Sequence, residues 1–426
     1  MNRRLILILT IITITSTAFV IFYYFFKNRP TVATPTSNEP SLLPSGLPGG
    51  DFVNNNTEAI IGGSSKSGTD TSTLNRLRHL TLVPTAGDVI ISKKIEVIEN
   101  RVKTEQFAHI IRFADRATGH ISETKSDSSD VTPISNTTNP KVYEAFFSPD
   151  GNNLIARTVS NDNPDKIISY NIKIKDKSAT SKSSTTDSTI TYLPTDLNQV
   201  AISPSGSKLL SLSENDGVGT FVVSDLVGKG AKVILTHPLK EWLISYPTEN
   251  TAVISTKPSG VANGFAYTLN LTTGEIRKII GGIAGLTILP NKNLKDFIGG
   301  ATPANTIKLF SYKLGDTDPR VLPISTLPEK CVWSNTDTSI IYCAVPLIIP
   351  NATYPDDWYK GRVTFNDQLW KINIASGETT LVSNLSIESG QAIDAMNIML
   401  SSDDKYLTFI NKIDLTLWGL DLSVKK

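Results

Sequence analysis

Apolar and polar positions along this chain come in short bursts, and five times an apolar run breaks at a turn of Ser, Pro, Asn and Asp and resumes as a second apolar run. These are FFSPDGNNLIA (residues 146–156), AISPSGSKLLSL (201–212), ISYPTENTAVIS (244–255), ILPNKNLKDFIG (288–299) and VWSNTDTSIIYC (332–343). With Pro204, Pro247, Pro290 and Asn335 as markers, the intervals are 43, 43 and 45 residues. Two further turns, at 84–87 in LTLVPTAGDVIIS and at 401–404 in IMLSSDDKYLTFI, bring the count to seven. Short apolar segments bounded by turn residues, with no long helical period, predict strands. A period of about 40 to 45 residues built from strands is that of a propeller blade.

Within each unit the pattern predicts four strands. A first strand runs into the Ser-Pro-like turn, a second leaves it, and a third and fourth form a hairpin. That last hairpin is read in residues 264–280 and 368–383, through Thr273-Gly274-Glu275 and Ser376-Gly377-Glu378, and in 107–123 through Thr118-Gly119, where glycine accepts a positive φ without strain. The fold class expected is all-β, a single β-propeller over residues 74–426, with seven blades, or six if the unit at Pro84 is not a blade. Residues 416–422 read as a third strand, which leaves the last blade one short. Residues 75–81, NRLRHLT, are placed to supply the missing strand and so close the ring and remove two open edges.

The first 73 residues have a different texture. Residues 5–26 form a run of 22 without a charge, long enough to cross a hydrocarbon core of about 30 Å. Residues 1–29 are therefore read as an N-terminal membrane anchor, with Tyr23 and Tyr24 at the interface and Lys27 and Arg29 beyond it. A cleaved signal is the alternative, but its apolar core is usually about 7 to 15 residues long. Arg3 and Arg4 nearly balance Lys27 and Arg29, and the terminal amine tips the orientation toward a propeller outside the cytoplasm. Residues 30–73, rich in Pro, Gly, Ser and Thr, predict a disordered tether with a root-mean-square span of roughly 35–40 Å.

FFSPDGNNLIA carries more than a period. Phe147, Ser148, Pro149, Asp150 and Gly151, followed by Leu154, Ile155 and Ala156, resemble the Ser-Pro-Asp-Gly repeat of TolB-type, WD-repeat-like β-propellers. Ser203-Pro204-Ser205-Gly206 departs at one position, and the later turns keep only parts of the motif. The resemblance implies a propeller that binds proteins or small ligands on its faces. No catalytic residues come with the motif.

Composition narrows the chemistry. A net charge of +1 with interspersed Lys, Arg, Asp and Glu gives no basic stripe for nucleic acid. No zinc-protease, phosphate-loop, dinucleotide or nucleophile-elbow motif is present, so no cofactor, metal or catalytic residue is assigned. The four histidines lack ligand spacing, and residues 161–165, though rich in side-chain oxygens, lack the spacing of a calcium loop.

The two cysteines, Cys331 and Cys343, flank the turn at Asn335, and a hairpin centred near Asp337 sets them opposite each other. Directly opposed Cα atoms about 4.5 Å apart are within disulfide range. Such a bond belongs to an oxidising compartment, and two buried thiols are the alternative.

Two stretches exceed the blade length. Residues 173–188 read as a solvated hairpin tip. Residues 345–365 contain Tyr354, Asp356, Asp357, Trp358, Tyr359 and Lys360, the candidate binding loop. Aromatics beside charges are what recognition surfaces use. The competing reading folds those aromatics back onto the blade as a packed loop. A carboxylate pair for acid/base work is disfavoured, because adjacent residues on an extended loop point apart. The function expected is a membrane-anchored extracytoplasmic binding scaffold. The alternatives are a hydrolase or lyase acting at the channel mouth and an accessory subunit of an envelope complex.

Overall fold

The computed structural model describes residues 75–99, 102–135, 137–160, 162–164, 166–174 and 188–424. The anchor, the tether, most of the 173–188 insertion and residues 161 and 165 lie outside the described residues. Among those described, no helix is long and apolar enough to cross a membrane.

Among the described residues, twenty-eight strands make seven four-stranded antiparallel sheets. Blade 1 comprises Thr85–Glu99, Val102–Asp115, Ile121–Lys125 and Val131–Ser135. The first strands of blades 2 to 6 are Val142–Phe147, Leu197–Ile202, Trp242–Thr248, Thr287–Pro290 and Cys331–Trp333. Blade 7 takes three strands from the end of the chain, Ala395–Leu400, Tyr406–Asn411 and Leu417–Asp421, and its fourth, Leu77–His79, from the start of the domain. Leu77 pairs with Leu420 and His79 with Trp418, whose rings stack at 4.3 Å.

A blade lies between two others, so its middle strands are covered on both sides. The second strands accordingly read as near-continuous apolar runs, NLIARTV in blade 2 and TAVIST in blade 4, where four consecutive residues are buried. Fourth strands at the rim are mostly exposed, as in Arg320–Val321. Blade packing is close enough to exclude a side chain at Gly87, where a Cβ would stand 1.9 Å from the Ala145 carbonyl oxygen of blade 2.

Antiparallel neighbours send their connections to two opposite faces. The face carrying the first-to-second and third-to-fourth links is termed the turn face; the loop face carries the second-to-third and fourth-to-first links. On the turn face a buried serine hydroxyl closes each well-formed Ser turn. Ser148 Oγ accepts from the Asn153 N–H at 2.9 Å, Ser203 Oγ from Lys208 at 3.1 Å and Ser401 Oγ from Tyr406 at 2.9 Å. Adjacent turns are also tied together. The Asp404 carboxylate accepts from the Asn335 N–H at 2.8 Å, and Glu249 from the Ser205 N–H at 2.6 Å.

Blade 1 departs from the sequence reading. Residues 84–87 are not its first-to-second turn but the entry to a first strand that continues to Glu99, which pairs with Val102 of the second strand. The hairpin in 107–123 therefore joins the second strand to the third, not the third to the fourth. The sequence between Glu99 and Val102 has no Gly or Pro to mark a turn, whereas Pro84 does resemble the other turns. In blade 4, Pro247 lies inside the first strand, and the turn falls at Glu249 and Asn250.

Leu77 is 6% exposed within the seam that closes the ring. Leu77→Ala is expected to lower unfolding free energy by about 2–4 kcal/mol in urea titrations. Unchanged stability would show that the closing strand is dispensable.

Candidate functional site

The blade 6 insertion leaves the loop face between the second strand, Ile340–Pro346, and the third, Asp367–Asn373. Its aromatics turn inward. Tyr354, Trp358 and Phe365 are 0%, 4% and 3% exposed and cluster with Ile307, Leu327 and Met396, contributed by other parts of the ring. A single helical turn, Asp356–Tyr359, organises the exposed side. Asp357 accepts from the Thr353 N–H at 2.9 Å and pairs with Arg362 at 3.1 Å. The Thr353 hydrogen bond, then Arg362, holds the Asp357 carboxyl below its usual pKa.

Asp356 reaches across to blade 4, accepting from Ser259 Oγ at 3.0 Å and the Gly260 N–H at 2.8 Å. The Tyr354 carbonyl accepts from Thr302 Oγ1 of blade 5 at 2.7 Å. Any residue but glycine at 260 would collide with that carbonyl, since a Cβ there would lie 2.4 Å from it. The insertion is thus pinned to two other blades.

Beneath it lies a charged knot. Lys330 Nζ, fully buried, is 2.5 Å from Asp394 Oδ1, 2.8 Å from Asp367 Oδ2 and 2.8 Å from the Ala395 carbonyl. The Trp358 and Phe365 rings flank the ammonium at 5.2 and 5.3 Å. Trp358 Nε1 and the Phe365 N–H donate to Asp394 Oδ2 at 3.0 and 3.1 Å. Burial, and then the neighbouring Asp394 charge, raise the Asp367 pKa; Lys330 and the Ala395 N–H oppose them, and the result is about 6.

Of the six residues in the candidate loop, then, Tyr354 and Trp358 are core, and Asp356 and Asp357 hold the loop in place. Tyr359, whose hydroxyl donates to Glu329, and Lys360 are exposed. Sequence reasoning missed Lys330, Asp367 and Asp394. The available signal was charge in apolar surroundings: LPEKCVW, TFNDQLW and QAIDAM.

Cys331 and Cys343 are disulfide-bonded, with S–S 2.09 Å, and both are buried. They face each other in the register of the first and second strands of blade 6, directly after Lys330.

First strands of five blades line a cavity of about 480 Å³ on the propeller axis. Its walls are mainly apolar, with Phe147, Ile202, Ile244 and Met399 among them, and they include two carboxylates, Asp88 and Glu144. Glu144 is paired with Arg157 at 2.5 Å, and Arg157 also donates to the Leu197 carbonyl at 2.6 Å. Asp88 accepts from Thr408 Oγ1 at 2.7 Å, and burial pushes its pKa up to about 7 against that hydrogen bond. His109 sits between Ser92 Oγ and Asp403, each at 3.1 Å. Among the described residues no group of three or more His, Cys, Asp and Glu is arranged to hold a metal ion.

No protein-family model matches the chain, and no curated protein matches it. Solved structures do. An oligogalacturonate lyase from Vibrio parahaemolyticus is similar with a TM-score of 0.50 at 8% identity, over 79% of this chain and 98% of that one. An oligogalacturonate lyase in complex with manganese gives 0.49 at 11%, over 80% and 98%. TolB from Acinetobacter baumannii gives 0.41 at 10%, over 68% and 78%. At such identities the first of these likenesses shows the propeller fold alone, and the two lower scores carry no argument.

Asp356→Ala is expected to cost about 1.5–3 kcal/mol, the range for hydrogen bonds to a charged group. It should also speed protease cleavage within residues 347–366, read by limited proteolysis. Asp88 gives a pH signature. Its native pKa of about 7 exceeds the unfolded value, so its contribution is fully present below about pH 4 and is lost as pH rises through 7. Asp88→Asn is expected to remove about 1.4 kcal/mol per pH unit of that decline, measured by urea unfolding between pH 4 and 7.

Proposed function

We propose that this chain is a membrane-anchored, extracytoplasmic recognition propeller whose loop face docks a partner protein at the cell envelope. One observation carries the reading. The four most exposed large apolar residues among those described, Leu82, Val261, Ile348 and Ile387, are 86%, 85%, 78% and 73% exposed, and all four sit on links of the loop face. Solvated apolar side chains carried by one face, here on links of blades 4, 6 and 7, give that face apolar area with which a protein partner can be bound. They accompany Tyr359 and Lys360, which the locked insertion presents on a rigid base, so that docking orders little further chain.

Anchoring rests on the uncharged run at residues 5–26, and placement outside the cytoplasm draws support from the Cys331–Cys343 disulfide, a bond of oxidising compartments. The second reading, a hydrolase or lyase acting at the channel mouth, draws on Asp88, a carboxyl facing the axial cavity with a pKa near neutrality. Glu144, the other carboxylate there, is already engaged by Arg157.

A photo-crosslinking residue placed at Ile348 or Val261 of the full chain in intact membranes is expected to trap one discrete partner. The same residue at Leu314, on the turn face, is expected to trap none. Adducts from Leu314 alone, or equal adducts from both faces, would overturn the assignment. Maleimide labelling of intact cells should reach Cys331 and Cys343 only after reduction and denaturation. Labelling without a reductant would remove the oxidising-compartment argument.

A further inference from the structure

The charged knot under the insertion has the elements of a condensation site. One primary amine and two carboxyl groups are fully excluded from water, with Lys330 Nζ in direct contact with both carboxyls. Three buried ionisable groups, two of them acidic, are costly to retain, because each ion out of water carries a penalty of several kcal/mol. Loss of one ammonium and one carboxylate into a neutral amide relieves part of that cost. Fixed proximity supplies the rate, since well-oriented partners react with effective molarities of about 10⁵–10⁸ M.

We propose that Lys330 and Asp394 condense within the folded protein to an isopeptide cross-link, with Asp367 as the proton carrier. The roles follow from the hydrogen bonds. Asp394 receives the Trp358 indole N–H and the Phe365 N–H on Oδ2, donors placed to hold the oxygen on which charge develops when its carbon is attacked. Asp367 receives the Ala395 N–H on Oδ2 at 2.7 Å, while its buried Oδ1 has no partner and is free to carry a proton. Its pKa, raised by burial to about 6, leaves it a carboxylate that can accept a proton at neutral pH and yet lies high enough for it to hand that proton on.

The step balances without an oxidant or co-reactant. One ammonium proton passes to the Asp394 carboxylate and leaves a neutral amine and a neutral carboxyl. The Nζ lone pair attacks Cγ of Asp394, and Asp367 takes the proton that the new C–N bond makes acidic. Asp367 returns that proton to the departing hydroxyl, the C–O bond breaks, and water leaves. The rings of Trp358 and Phe365 keep bulk water from the reacting atoms, which gives the buried half of the insertion a chemical purpose. The product ties the start of blade 6 to the start of blade 7 across a separation of 64 residues.

Peptide mapping of the full chain, extracted from membranes, reduced and digested with trypsin, tests this. The expected product is a branched species joining residues 321–360 to 372–405, lighter than the sum of its parts by one water and uncleaved after Lys330. Lys330→Met and Asp367→Asn, each checked for fold by near-ultraviolet circular dichroism, should yield only linear peptides. Asp394→Asn should give the same branch with loss of ammonia from the side chain in place of water. A linear 321–330 peptide from the wild-type chain as the main product would overturn the proposal. A branch to residues 363–371 would equally overturn the assignment of Asp394, because that peptide carries Asp367.

Discussion

A four-stranded blade has two faces to cover, and in this chain both are apolar. No blade can bury its own second strand. Leu154, Ile155 and Ala156 are 1%, 0% and 0% exposed only because blades 1 and 3 stand on either side. Seven units that each need two neighbours have one economical solution, a closed ring, and closure requires a last blade built from both ends of the domain. The pairing of Leu77–His79 with Leu417–Asp421 meets that requirement. It makes the blades interdependent, so that a defect at the seam opens two sheet edges at once.

Ring closure also divides the surface into two unlike faces. The turn face is crowded by its own construction, since each serine hydroxyl closes its turn and acidic side chains tie one turn to the next. Arg112 belongs to the same scheme, joining blade 1 to the Gly151 carbonyl of blade 2 at 2.7 Å. Where this face carries extra chain among the described residues, it does so by lengthening a hairpin, as in blade 1, whose first two strands stay paired out to Glu99 and Val102. Among the described residues the loop face has no such repeated lock, and the blade 6 insertion is found there. Its fixation relies on groups that an isolated loop cannot supply: Ser259, Gly260 and Thr302 from blades 4 and 5, and the Lys330 ion cluster below.

What could be read from the sequence follows from this division. Second strands are covered on both sides and show as apolar runs, and the turns that precede most of them carry Ser, Pro and Asn, so the period, the blade type and the closing strand were all visible. Blade 1 was misplaced because the sequence between Glu99 and Val102, which pair in its hairpin, has no glycine or proline, while Pro84 imitates a turn. For the insertion, Tyr354 and Trp358 look identical in sequence whether they face solvent or core; the answer lies in Ile307, Leu327 and Met396, far away in the chain. Lys330 was hidden for the same reason, since its two carboxylates are 37 and 64 residues distant, and the local signal, a charge among apolar residues, does not name its partners.

The buried charges and two of the four most exposed apolar residues belong to one sector. The disulfide, the Lys330 cluster and the pinned loop all fall between blades 5 and 7, and Ile348 and Ile387 lie on their outer surface. The hydrogen bonds of Asp356 to Ser259 and Gly260, and of Thr302 to the Tyr354 carbonyl, tie this sector to blades 4 and 5. A surface that is to bind without paying for its own ordering belongs on such a foundation. The axial cavity contrasts with it: one carboxylate there is engaged by an arginine and the other is held by a threonine, which leaves a largely apolar passage. The rigid part of the molecule and the part that offers apolar surface to a partner thus coincide on the loop face, and it is this coincidence, rather than the propeller fold itself, that argues for recognition there.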